Sequence, residues 1–324
     1  MTAPGEHGHA DVTGTAAVPG AAAEAAATGT PRTLGGQEAW ERLLRVRTRE
    51  EAAGAGLEQG TDGGWRWRVP ASPDAGVLAS LYTPLCLAGA ECAFAQLGQS
   101  IDGFIATRTG HSNYVTGEED RLHLHRLRAL SDAVLVGAGT TIADDPRLTV
   151  RACTGGNPVR VVLDPRGRAW ESSRDAQVFT DGQAPTLHVI GTDAPAGTEA
   201  ASSSGASSSG ASLSGGASGG ASGVEVLRLP RGEGGFEPRT LLDALAQRGL
   251  RRVMVEGGGA TVSGFLRADV LDRLYVTVAP VVIGDGVPGL RFPGPVRMGE
   301  ALRPPTRVFP LGEDVLFELD LLAA

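Results

Sequence analysis

The sequence predicts an α/β fold, a mainly parallel sheet with an antiparallel edge. Three observations lead there. Short apolar runs alternate with helical patterns from about Cys92 onward, which favours parallel strands joined by helices. Two of those runs, Val134-Leu135-Val136-Gly137 and Val253-Met254-Val255-Glu256-Gly257, end in small residues just before a helical pattern. Finally, Arg307–Phe309 and Val315–Leu319 flank the turn Leu311-Gly312-Glu313-Asp314, the signature of a closing hairpin.

Residues 1–35 are mostly Ala, Gly and Thr, too poor in apolar surface to offset backbone entropy, and a disordered tail is expected. An N-terminal extension, 36–90, follows. In it Trp40, Leu43 and Leu44, set among Glu41, Arg42, Arg45 and Arg47, read as one short amphipathic helix over Gln37–Glu51. That helix is expected to dock on the main domain or on a partner subunit. Trp65, Trp67 and Leu81 carry no assignable pattern.

The main domain is expected over 91–324, beginning with the strand Cys92–Gly98 and the turn Ser100-Ile101-Asp102-Gly103. Thr116-Gly117-Glu118-Glu119 fits a capping box, so a helix should start at Thr116 and end near Leu130. Strands at Val134–Val136, Val159–Leu163 and Thr186–Ile190 precede a helix over Thr240–Gln247. After the strand at Val253 come a helix over Ala260–Leu266 and a strand over Leu274–Ala279. The Ala/Ser/Gly tract at 194–223 is expected to be a disordered insertion without chemistry.

Composition narrows the function. The 324-residue chain has a net charge of −8 and no basic cluster, which argues against nucleic acid as a partner. Arginine greatly outnumbers lysine. Cys86, Cys92 and Cys153 are odd in number and scattered, so no disulfide framework is expected. With no apolar run of membrane-spanning length and no leader pattern at the start, the cytoplasm is the expected location.

A strand that delivers small residues to a helix start presents bare N–H groups and the positive end of the helix dipole to an anion. Two such turns suggest a phosphate-rich cofactor, although each alone is equally consistent with an ordinary strand-to-helix turn. Neither is a dinucleotide fingerprint, because Ile142 and Val262 stand where the last glycine belongs, and no lysine follows to make a P-loop. Arg128 and Arg151 are candidates for a ligand phosphate, since a guanidinium fork matches phosphate oxygens. Glu256, ending a buried strand, must be paired or meet a ligand. Arg166 and Arg168 could meet a 2′-phosphate, and Asp144 and Asp145 precede a turn at Pro146. No metal site is expected: His123 and His125 point to different helix faces, and the zinc-deaminase pattern is missing.

Five segments taken in order carry a family resemblance. They are Gly98-x-Ser100-Ile101-Asp102-Gly103; Ser112-x-Tyr114-Val115-Thr116-Gly117; His125-Arg126-Leu127-Arg128-Ala129; Thr140-x-x-Ala143-Asp144-Asp145-Pro146-x-Leu148-Thr149-x-Arg151; and Val255-Glu256-Gly257-Gly258. From about Phe94 to the C-terminus the chain resembles the reductase domain of the bifunctional riboflavin-biosynthesis deaminase/reductase. The resemblance implies a dihydrofolate-reductase-like fold, a mainly parallel twisted sheet with helices on both faces. It also implies NADPH-dependent reduction of 5-amino-6-(5-phosphoribosylamino)uracil to the ribitylamino product, by hydride transfer to C1 of the ring-opened sugar. Carried over by position, Ser112, Arg128, Leu148 and Arg151 would touch the substrate, the arginines near its phosphate. Glu256 would face the sugar or pyrimidine and is the catalytic candidate. Gly98, Tyr114, Thr140, Asp144, Pro165, Gly258, Gly259, Ala260, Thr261 and Gly264 would lie at NADPH. The resemblance further implies a homodimer.

Departures accompany it. Gln96 stands where the family usually has lysine, Tyr114 where tryptophan is common, and Pro165 replaces a serine, removing one hydroxyl contact to the cofactor. The deaminase half is replaced by residues of other character, which implies a separate deaminase upstream or a changed pyrimidine substrate. A reductase of another pyrimidine or pteridine, or a non-catalytic nucleotide-binding relative, are the alternatives, the latter supported by Gln96.

Overall fold

Strands apolar on both faces need cover on both faces, and this chain supplies helices to each side of one large sheet. The computed structural model describes residues 32–113, 115–198 and 223–323. In chain order the elements are α1 (Gly36–Leu43), α2 (Arg49–Gly54), β1 (Leu57–Gln59), β2 (Trp65–Trp67), α3 (Pro73–Cys86), β3 (Cys92–Ser100), β4 (Phe104–Thr107) and α4 (Glu118–Ala129). Then come β5 (Ala133–Gly137), α5 (Ala138–Asp144), β6 (Val159–Asp164), α6 (Arg168–Ser172), α7 (Gln177–Thr180), β7 (Thr186–Gly191), β8 (Val224–Leu229) and α8 (Pro238–Ala246). The chain ends with β9 (Arg252–Val255), α9 (Gly259–Arg267), β10 (Arg273–Ala279), β11 (Gly286–Pro288), β12 (Thr306–Leu311) and β13 (Asp314–Asp320).

The main sheet has nine strands in the order β12-β13-β10-β3-β9-β5-β6-β7-β8. From β10 to β8 all neighbours are parallel. The β12–β13 hairpin adds the antiparallel edge expected of the chain's end. Alternation along each strand sorts side chains between two cores. Phe94, Val134, Val136, Met254 and Tyr275 face the N-terminal helices, with Leu127 of α4. Ala95, Leu97, Leu135, Val253 and Val255 face α8 and α9 through Leu241, Leu245, Val262 and Phe265.

The extension docks on the sheet of its own chain. Trp40 is 1% exposed and donates Nε1–H to the Thr154 carbonyl at 2.7 Å. The Tyr82 hydroxyl meets His123 Nδ1 at 2.7 Å, and Arg307 of β12 donates to the Ser80 carbonyl at 2.7 Å. Its expected single helix over Gln37–Glu51 is instead two, α1 and α2. Thr48 breaks the run because it caps α2, accepting from the Glu51 N–H while Glu51 accepts from the Thr48 N–H. The unassigned stretch forms the β1–β2 hairpin and α3, a helix capped by Ser72 with Pro73 in its first turn.

The capping box expected at Thr116 does not form. Gly117 is the N-cap of α4 with no side-chain cap, and its N–H donates to Asp314 Oδ2 of β13 at 2.7 Å. Thr116 turns instead toward Gly98 and the Asp120 carboxyl. Strand β8 and the β4–β11 ribbon lie outside the elements expected from sequence. The tail at 1–31, Tyr114 and most of the expected insertion, 199–222, fall outside the described residues.

Candidate active site

The connection order of the sheet fixes where a ligand fits. From β5 the chain winds outward through β6, β7 and β8; it then returns to place β9 between β3 and β5 and continues to β10 beyond β3. Loops leaving β5 and β9 therefore part to opposite faces, and the crevice between them opens at the carboxyl ends of the strands. A cavity of about 870 Å³ lies there, lined by Gly98, the Gly137–Thr140 turn, Leu148, Pro165 and the Glu256–Thr261 turn.

The two glycine turns are braced against each other. Thr140 Oγ1 of α5 accepts the Gly258 N–H at 3.0 Å, so that donor is already used. A Cβ on Gly137 would stand 2.8 Å from Thr261 Oγ1 of α9, and one on Gly259 would stand 1.8 Å from the Gly289 carbonyl. These two positions need glycine for close approach. Gly139 and Gly264 differ, since a Cβ there meets nothing within 4 Å and the space beside them is open to a ligand.

Glu256 stands at the end of β9, and Arg128 reaches it from α4. Arg128 Nε donates to Glu256 Oε2 at 2.9 Å and its Nη2 to Oε1, a bidentate pair with side chains 7% and 13% exposed. Both carboxylate oxygens keep lone pairs for a ligand donor. Arg128 also donates to the Thr149 carbonyl at 3.1 Å, and Arg151 Nη1 donates to Thr149 Oγ1 at 2.7 Å. Burial and the neighbouring charges of Arg128 and Arg147 lower the Arg151 pKa, partly offset by Glu256. His125 Nδ1 accepts the Arg151 N–H at 3.1 Å. Burial, with the charges of Arg128 and Arg151, pulls the His125 pKa from 6.5 to about 4, so the ring is neutral near pH 7 with its proton on Nε2.

At the cavity floor Gln96 is 5% exposed and donates to Asp120 Oδ1 at 3.3 Å, an atom that also accepts from Thr277 at 2.6 Å. Burial raises the Asp120 pKa. Asp144, at the end of α5, has its pKa raised by the surrounding protein as well. Leu148 lines the cavity from a left-handed backbone position, φ 56°.

Of the residues expected at the site, Gly98, Ser112, Thr140, Asp144, Leu148, Pro165, Glu256, Gly258, Gly259, Ala260, Thr261 and Gly264 line this one cavity. Arg128 and Arg151 do not line it: Arg128 is joined to the wall through Glu256, and both arginines bond Thr149, the residue after the lining Leu148. Arg168 lines the cavity and Arg166 does not. Sequence reasoning missed the far wall, where Ile105, Ala106, Val287 and Pro288 come from the β4–β11 ribbon. Strands of three and four residues leave too short a pattern to read.

Residues 93–316 match the family model for the RibD C-terminal domain. The chain belongs to that family. The RibD protein of Aquifex aeolicus is 34% identical over 190 residues, which are 58% of this chain and 46% of that protein. The chain thus spans about half the length of that RibD relative. A Methanothermobacter thermautotrophicus protein named 2,5-diamino-6-ribosylamino-4(3H)-pyrimidinone 5′-phosphate reductase is 34% identical over 225 residues, 68% of this chain and 93% of that one. Acinetobacter baumannii RibD superposes with a TM-score of 0.55 at 21% identity, over 84% of this chain and 67% of that one. The riboflavin-biosynthesis reductase of Saccharomyces cerevisiae superposes at 0.51 and 19%, over 71% of this chain and 90% of that one. These likenesses show the dihydrofolate-reductase-like fold of RibD reductase domains. The match begins at residue 93, so α1 to α3 lie outside the RibD C-terminal region. Among the described residues no group of three His, Cys, Asp or Glu side chains could hold a metal ion, and no helix is long and apolar enough to cross a membrane.

Proposed function

We infer that this chain is the reductase of riboflavin biosynthesis, acting with NADPH on 5-amino-6-(5-phosphoribosylamino)uracil to give the ribitylamino product. The observation that carries the reading is the pairing of one open, glycine-lined cavity at the sheet's switch point with a cluster of Arg128, Arg147 and Arg151 beside it. The open space beside Gly139 and Gly264 and the α5 and α9 helix starts suit a dinucleotide's phosphates. When bound, the nicotinamide cofactor supplies a hydride to C1 of the ring-opened ribosylamine, whose nitrogen takes up a proton from solvent. Arg151 and Arg147 would bind the 5-phosphate, and Ser112 and Leu148 would seat the sugar. Glu256, held by Arg128, would accept a hydrogen bond from the sugar or pyrimidine and fix C1 against the cofactor. Gly98, Thr140, Asp144, Pro165, Ala260 and Thr261 would line the cofactor's path, with Arg168 at the adenosine 2′-phosphate.

The span shared with the archaeal reductase favours a second reading in which the substrate is the undeaminated pyrimidine. In either case a separate deaminase, a cytoplasmic location and a homodimer complete the reading. The test is steady-state NADPH oxidation with both pyrimidines: turnover of one supports the reading and names the substrate, and turnover of neither overturns it.

A further inference from the structure

Arg147 and Leu148 lie on one short irregular segment, Asp145-Pro146-Arg147-Leu148, that follows α5 and leads on to Arg151. Asp145, the C-cap of α5, sits at φ 42°, a left-handed position an aspartate accepts, but Leu148 at φ 56° holds a conformation that a bulky side chain avoids, and the segment is strained there. Something must hold it. Gln177, the first residue of α7, does so from outside the cavity. Its N–H donates to Asp145 Oδ1 at 2.6 Å. Its side-chain Nε2 donates to Asp145 Oδ2 at 2.9 Å and to the Asp145 carbonyl at 3.0 Å. Its Oε1 accepts from Arg147 Nε. Beneath it Arg160 of β6, 2% exposed, donates through Nη1 to Asp181 at 2.7 Å and to the Arg147 and Gln177 carbonyls, each at 3.4 Å.

We propose that Gln177 is a positioning residue for substrate: by clamping the strained segment it fixes Leu148 in the cavity wall and keeps Arg147 beside Arg151. The inference rests on the functional reading above for what the segment contacts. Gln177 itself does not line the cavity. One amide serves the segment as both donor and acceptor, to Asp145 on one side and Arg147 on the other. A carboxylate at 177 would keep the Arg147 contact but face Asp145 with like charge. Asparagine at 145 would then turn that repulsion back into a hydrogen bond, since its side-chain N–H₂ donates to the carboxylate while its oxygen still accepts the residue 177 N–H. Asparagine also tolerates the left-handed conformation.

The test compares wild type, Gln177→Ala, Gln177→Glu and the double variant Gln177→Glu/Asp145→Asn. A misplacement of about 1 Å can cost on the order of a hundredfold, and a smaller shift of this segment about tenfold. Gln177→Ala should therefore raise the substrate KM about tenfold, with kcat and the NADPH KM within about twofold of wild type. Gln177→Glu should be worse and the double variant better than Gln177→Glu. Amide exchange at residue 177, whose N–H is held by Asp145 Oδ1, should quicken in both single variants and slow again in the double one. A wild-type KM in Gln177→Ala, a loss spread equally over both substrates, or a double variant no better than Gln177→Glu would overturn the proposal. Unchanged exchange at residue 177 would overturn it whatever the activity. A wild type that exchanges as described yet turns over neither pyrimidine counts against the functional reading instead.

Discussion

At the residue scale, the Arg128–Glu256 pair changes what a substitution should do. Arg128 reads from sequence as a free phosphate ligand, but it is committed to Glu256 and to the Thr149 carbonyl. Arg128→Ala leaves a mostly buried carboxylate without its partner, a loss of about 3–5 kcal/mol. It should lower kcat as well as raise the substrate KM, because Glu256 loses its orientation. Arg151→Ala removes a charge-assisted contact of about 1.5–3 kcal/mol and should act on KM, roughly ten- to a hundredfold, with NADPH affinity unchanged. Steady-state kinetics of the two variants side by side checks this; identical profiles would mean that Glu256 does not depend on Arg128. Arg168 belongs to the same scale. NADPH should be preferred over NADH, and Arg168→Ala should abolish most of that preference, a change of about 1.5–3 kcal/mol. Equal kcat/KM for the two cofactors in the wild-type protein would remove the assignment.

At the scale of elements, the extension is part of the main core. Trp40, Leu43, Tyr82 and Leu85 share one buried cluster with Phe94, Met254 and Tyr275 of the sheet. Trp40→Ala should therefore cost about 3–5 kcal/mol of unfolding free energy in urea, and a loss under 1 kcal/mol would mean that α1 is a loosely held appendage. What could be read in the sequence follows from whether a signal is local. The strands β3, β5, β6, β7, β9 and β10 are legible because their runs are apolar and most are followed by turn or helix signals, and the final hairpin because a Gly turn joins its two strands. The capping boxes show the limit. Thr48-x-x-Glu51 forms, with Glu51 also accepting the Arg47 N–H, whereas Thr116-x-x-Glu119 fails because the Thr116 side chain is taken by Asp120 and the cap falls on Gly117, whose N–H goes to Asp314. At the site, the glycine turns and Glu256 announce themselves by following buried strands. The β4–β11 wall and the Gln177 clamp arise only from tertiary contacts and leave no local trace.

At the scale of the whole molecule, two buried histidines set an acid limit on stability. Burial and Arg126 pull the His123 pKa from 6.5 to about 3, and His125 falls to about 4. The unfolded chain takes up these protons first, so their contribution is complete above pH 6.5 and is lost progressively as pH falls toward 4. Thermal melting across that window should show Tm falling with acid, and His125→Asn, which keeps an acceptor for the Arg151 N–H, should flatten the slope. A Tm unchanged by pH would contradict the buried neutral state.

The central claim is that one cavity, built where β5 and β9 part, brings a nicotinamide cofactor and a pyrimidine ribosyl phosphate together for reduction. The most direct measurement is the loss of NADPH absorbance when the purified chain meets 5-amino-6-(5-phosphoribosylamino)uracil or its undeaminated counterpart, with the product's sugar analysed for the open-chain ribityl form. The account predicts stoichiometric NADPH oxidation and ribityl product with one of the two, lost in Arg151→Ala at low substrate. Tight NADPH binding with no oxidation in the presence of either pyrimidine would contradict it.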